Sequence, residues 1–168
     1  MKPARLWFAA LLSGAIAAVS SCADRTMTGP ALEASNFHSS AGLLQCKPLA
    51  YDSVTEVIGP PGGVLRVSKH TLSIPDGALT EWVSITAVAP SDTMNRIQFQ
   101  PEGLVFRTSV DLTMSYANCN LQSSAQPTQI AYTNDSLVIL EYMPSTDDVT
   151  GKKVTAELTH FSEYAASW

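Results

Sequence analysis

The stretch Val110-Asp111-Leu112-Thr113-Met114-Ser115-Tyr116 decides how this chain is read. Four apolar residues alternate with three polar ones without a break. Successive side chains of an extended strand point to opposite faces of a sheet. The period of two therefore buries Val110, Leu112, Met114 and Tyr116 and leaves Asp111, Thr113 and Ser115 on the other side. The pattern recurs. Val83, Ile85 and Ala87 alternate with Ser84, Thr86 and Val88, and Val154, Ala156 and Leu158 alternate with Thr155, Glu157 and Thr159.

Turn signals separate these runs: Pro60-Pro61-Gly62-Gly63, Pro75-Asp76-Gly77, Pro101-Glu102-Gly103, Thr133-Asn134-Asp135-Ser136, and Asp147 through Gly151. After residue 45 no stretch carries helical spacing, although Asp76 to Glu81 has room for one turn. Many short strands with regular turns predict an all-β chain with a single antiparallel β-sandwich domain over residues 45–168. That length suits one domain with a sizeable core, and no internal repeat divides it.

The front end reads differently. Lys2 and Arg5 precede an apolar run from Leu6 to Val19, too short and too weakly flanked to span a membrane, as in a secretory signal. The run stops at Val19-Ser20-Ser21-Cys22, which resembles the lipobox of bacterial lipoproteins. The resemblance implies a signal peptide over 1–21 and a diacylated Cys22 at the start of the mature chain, so the membrane partner is reached through lipid. A plain secretory signal is the alternative. Ala23 follows where an inner-membrane retention signal would usually carry Asp, so the expected location is the outer membrane or cell envelope. Residues 22–44, rich in Ser, Thr, Ala and Gly, are expected to form a flexible tether that includes His38.

Three cysteines in an exported chain leave an odd one. If Cys22 carries lipid, Cys46 and Cys119 remain, in a compartment where disulfides persist. They are expected to be bonded, tying the start of the domain to the end of a central strand; two separate buried thiols are the alternative. Loss of Lys2 and Arg5 with the signal takes the formal charge from −5 to −7. An acidic surface with scattered lysines excludes the clustered positive charge that nucleic-acid binding requires.

Three pieces occur in order: Gly62-Gly63 entering a short strand, Ile74-Pro75-Asp76-Gly77-Ala78-Leu79, and Gly103-Leu104-Val105-Phe106 before the alternating strand. With the closing Leu158-Thr159-His160-Phe161-Ser162, they resemble the ZU-five domain of ankyrins, netrin receptors and tight-junction scaffolds, over about residues 54 to 166. Each piece also has a structural meaning: Pro75 sets φ for a turn, Gly77 permits φ > 0, and Ala78-Leu79 re-enters the core. The resemblance implies a structural or protein-binding module with no catalytic residues and no cofactor, and a shared fold transfers no partner.

It also implies one chemical alternative, because some members cut themselves between Phe and Ser of His-Phe-Ser. His160 would take the Ser162 hydroxyl proton, the oxygen would attack the Phe161 carbonyl, and water would hydrolyse the ester. A plain strand supplies no strain for this, so a sharp turn or bulge at Phe161 would be required. Only Ser162 to Trp168 would be released, and Thr159, Phe161 and Tyr164 make ordinary strand sense. The expected role of Phe161 is a core anchor.

Other chemistry has weaker support. His38, His70 and His160 lack metal-ligand spacing, and no metal site is expected. Asp147-Asp148 lacks the alternation of a calcium loop and reads as a solvated hairpin tip. Gly59, Gly62 and Gly63 lead into no helix and so form no phosphate loop. Asn134-Asp135-Ser136 matches a glycosylation acceptor but reads better as a turn. Trp82 and Trp168 are expected to pack locally. The sequence thus describes a lipid-anchored, non-enzymatic module for a protein or envelope partner; glycan binding has only scattered aromatics behind it.

Overall fold

A computed structural model describes residues 42–121 and 126–168. The expected signal peptide over 1–21, Cys22, His38 and nearly all of the expected tether lie outside the described residues. Eleven β-strands and no helix occur among the described residues: β1 Asp52–Ile58, β2 Gly63–Val67, β3 His70–Ile74, β4 Val83–Ala89, β5 Arg96–Gln100, β6 Val105–Ser115, β7 Gln129–Thr133, β8 Ile139–Met143, β9 Ser145–Asp148, β10 Lys153–His160 and β11 Glu163–Ser167. All pairings are antiparallel. One sheet runs β1-β4-β5-β11-β7-β8 and the other β2-β3-β6-β10-β9. The expected β-sandwich is the fold.

The alternating strands behave as their period demands. In β6, Val110, Leu112 and Met114 are fully buried, as are Val154 and Leu158 of β10 and Ile85 and Ala87 of β4. The two inner faces meet in one core completed by Phe99, Phe106, Phe161 and Tyr164. Burial of apolar area, at roughly 25 cal/mol per Å2, drives the two sheets together. Ser115 departs from the pattern: it is buried rather than exposed. Its carbonyl accepts a bond from the Asn95 side-chain amide at 2.9 Å, which satisfies a polar group at the sandwich edge.

The turn chemistry is legible in the backbone. Gly62 has φ 74°, and a Cβ there would lie 2.3 Å from the Ile74 carbonyl oxygen, so only glycine fits. Gly77 has φ 78° in open space, and the single helical turn allowed at Asp76 to Glu81 is instead a turn followed by bends. Asn134 closes the β7–β8 hairpin through Oδ1, which accepts the N–H groups of Ser136 and Val138. Trp82 does pack locally, its indole lying over Gly59 although the residue is largely exposed.

Three features differ from the sequence reading. The fold begins before residue 45: Leu43 and Leu44 are buried, Leu43 bridges Ser167, and the Leu44 N–H donates to the Ala166 carbonyl at 2.8 Å. Two adjacent leucines beside a buried strand end gain more by burial than by remaining tether. Asp147 and Asp148 belong to β9 rather than to a free tip. Asp147 accepts the Tyr116 hydroxyl at 2.6 Å and the Thr128 N–H at 2.9 Å, while Asp148 caps Gly151. Finally, the chain's end is two strands in two different sheets rather than one closing strand.

Cys46 and Cys119 are joined in a disulfide, 73 residues apart in sequence. The bond ties the segment entering the domain to the turn after β6, the centre of its sheet. A buried disulfide fits an oxidising, exported environment.

Candidate functional site

The His-Phe-Ser segment is the corner at which the chain changes sheets. β10 pairs with β6, its register slips between Leu158 and His160, and the chain bends at Ser162 before β11 enters between β5 and β7. Orthogonal corners of sandwiches are made by such bulges and bends. The irregularity sets Phe106 to Ser109 of β6 against Thr159 alone, and nothing in the residues around Phe161 marks it.

The three side chains go to three places. Phe161 is fully buried, stacked on Phe99 with centroids 4.7 Å apart and meeting Phe106 edge-on at 4.9 Å. Its backbone is paired as well. The Phe161 N–H donates to the Leu104 carbonyl at 2.8 Å, and its own carbonyl accepts from the Gly103 N–H at 3.0 Å. The His160 ring lies edge-on to Tyr132 at 5.2 Å, and its carbonyl accepts the Tyr164 hydroxyl at 2.7 Å. That hydroxyl is held above the usual tyrosine range by burial, then by the charges of Tyr132 and Glu141. Ser162 is buried, and its carbonyl accepts the Phe99 N–H at 3.2 Å.

His160 and Ser162 also border different hollows. Ser162 lines a polar pocket of about 200 Å3 with Gln98, Gln100, Tyr132, Asn134 and Glu163. His160 borders a wider groove with Glu157 and Met143. Among the described residues no hydrogen bond links the two side chains, so the base has no direct route to the hydroxyl proton in this arrangement.

Beside the corner stands a charged cluster with no local sequence signal. Glu163 is buried; one oxygen accepts from Arg96 at 3.0 Å and the other from Gln98 at 2.6 Å. Arg96 also pairs with Asp92 at 2.7 Å. Burial opposes the guanidinium charge, but the bonds and charges of Asp92 and Glu163 outweigh it and hold Arg96 above its ordinary range. These partners lie 67 residues apart and meet only through the β5–β11 register. The cluster buttresses β11 on β5 and leaves no unpaired charge, which is the condition for tolerating a buried carboxylate.

His70 is the third histidine to consider. It sits at the β2–β3 hairpin opposite Val67, buried, with Nδ1 lacking a partner. Desolvation lowers it to about 4, so it is a neutral core residue at physiological pH. Among the described residues no group of three or more His, Cys, Asp or Glu is placed to hold a metal ion. Tyr116, clamped on Asp147, is pushed up to about 12 by burial and then by that carboxylate.

Fold and site together define a disulfide-bonded, antiparallel β-sandwich whose conspicuous polar groups are used in packing, turns and strand pairing. No protein-family model matches the chain, and no curated protein matches it.

Proposed function

We propose that the chain is an exported, lipid-anchored protein of the cell envelope that displays a non-enzymatic, ZU-five-like binding module. The observation that carries the non-enzymatic part is the state of Phe161. Its ring is a core anchor between Phe99 and Phe106, and both its backbone groups are already paired. Cutting after Phe161 would sever β11, one of the two central strands of its six-stranded sheet, from β10. The Cys46–Cys119 disulfide supports export. The anchor rests on Val19-Ser20-Ser21-Cys22, and the ZU-five likeness on Gly62-Gly63, Ile74 to Leu79 and Gly103 to Phe106.

A second reading keeps one specific observation. The bulge before His160 and the bend at Ser162 supply the irregular backbone that self-cleavage between Phe161 and Ser162 needs. His160 would have to leave Tyr132 and approach Ser162. Intact mass of the purified protein, with Ser162→Ala beside it, separates the readings. A single uncut species in both is expected; a fragment beginning at Ser162, absent from the variant, would establish cleavage instead. Loss of membrane association in Cys22→Ala tests the anchor, and an unchanged membrane fraction would refute it.

A further inference from the structure

The sandwich is open along one seam. β9 covers β10 only from Lys153 to Ala156, because the chain reaches Ser145 from β8 of the other sheet through Pro144. β10 continues to His160. The Tyr116 N–H donates to the Lys152 carbonyl. As far as Leu158, where the register shifts, antiparallel alternation then turns the even-numbered backbone groups of β10 toward β6 and the odd-numbered ones toward β9. Glu157 therefore directs its N–H and C=O to the side where β9 has ended. No other described strand takes its place there.

Alongside this edge lies a groove of about 790 Å3, bordered by Asp111, Glu141, Met143, Glu157, Thr159 and His160. Its charged walls are all carboxylate, with no Lys or Arg among them. Asp111 and Glu157 stand directly opposite each other on β6 and β10, both exposed. Like charges in that position cost stability until a cation comes between them. The two ion pairs among the described residues are both made by Arg96, so neither carboxylate has such a cation.

We propose that the seam is a strand-addition site for an extended, basic peptide segment of a partner protein. The segment's backbone pairs with β10 beyond the end of β9, and its alternate Lys or Arg side chains meet Asp111, Glu141 and Glu157. Main-chain bonds give affinity in this mode of recognition, and alternate side chains give specificity. The free length from Glu157 to Thr159 spans about 10 Å at the strand rise, enough for three residues, and ends where the His160 carbonyl is taken by the Tyr164 hydroxyl. The proposal rests on the reading of the domain as a binding module. The rival explanation of the carboxylates is that they only protect an exposed edge from aggregation.

The test uses the full chain in mild detergent at low salt and a labelled peptide of alternating lysine and valine, seven residues long with blocked ends. Controls are a glutamate–valine counterpart and a lysine–valine peptide N-methylated at alternate residues. The lysine peptide binds and the glutamate peptide does not. Glu141→Lys with Glu157→Lys weakens binding at least about tenfold, while Glu56→Lys, on the far sheet, leaves it unchanged. Asp111→Asn with Glu157→Gln weakens binding in the same direction and covers misfolding of the reversed pair. N-methylation removes binding without touching the protein. Equal binding of the two charged peptides, indifference to the groove variants or to N-methylation, or no binding by about 1 mM would overturn the proposal. So would a dimer that the peptide does not dissociate. A natural partner retained by the Glu141→Lys, Glu157→Lys protein would sink the seam but spare the binding module; self-cleavage would sink the module reading and leave the peptide result standing.

Discussion

Replacing Phe161 by alanine tests whether the corner residue is an anchor. The ring is wholly buried, and its neighbours Phe99 and Phe106 are fixed in β5 and β6, so neither can collapse into the space left behind. Buried Phe→Ala changes cost about 3–5 kcal/mol, of which the two aromatic contacts at 4.7 and 4.9 Å are part. We take about 4 kcal/mol, a large share of the 5–15 kcal/mol typical of a domain. With an unfolding entropy of about 2.1 cal/mol/K per residue over the domain, the melting temperature falls by about 15 °C. Phe161→Leu keeps most of the volume and costs about 2 kcal/mol, which covers the case in which the alanine variant does not fold. Urea and thermal unfolding, followed by circular dichroism with the disulfide intact, give both numbers. A loss under about 1 kcal/mol for Phe161→Ala would refute the anchor and reopen the corner to chemistry.

Three other outcomes follow from the same packing. His70 is neutral in both folded and unfolded chains above pH 6.5. As pH falls from 6.5 toward about 4, the unfolded chain takes up a proton that the folded one refuses. Stability therefore drops by up to about 1.4 kcal/mol per pH unit across that window, roughly 3 kcal/mol in all. His70→Leu flattens that part of the profile, and parallel profiles would contradict the burial argument. Reducing the disulfide, which closes a separation of 73 residues, costs about 4 kcal/mol by loop entropy. Cys46→Ala, Cys119→Ala and the double variant should melt alike, and an unchanged melting point on reduction would contradict this. Gly62→Ala, whose Cβ would meet the Ile74 carbonyl at 2.3 Å, costs more than about 2 kcal/mol; Gly77→Ala, in open space at positive φ, costs about 1 kcal/mol. Equal losses would show that backbone strain alone, without the clash, sets the cost.

The fold was legible because its signals are local. The alternation at Val110–Tyr116 names the inner face of β6 without reference to any other residue, and Gly62 and Asn134 announce their turns by residue type. The disulfide followed from counting. The site was less legible because its meaning depends on register. Nothing near Glu163 predicts Arg96, 67 residues away, and nothing in Leu158–Tyr164 shows that the chain leaves one sheet for another inside it. A strand period of two continues past His160 on paper; the register shift that breaks it sets four residues of β6, Phe106 to Ser109, against Thr159 alone. The open edge of β10 is likewise set by where β9 begins, a fact of topology rather than of composition.

The most direct test is the intact mass of the protein purified from membranes, read before and after reduction. One uncut species beginning at a lipid-modified Cys22 is expected, gaining two hydrogens on reduction as Cys46 and Cys119 separate. A chain without lipid on Cys22, or a second fragment beginning at Ser162, would contradict it.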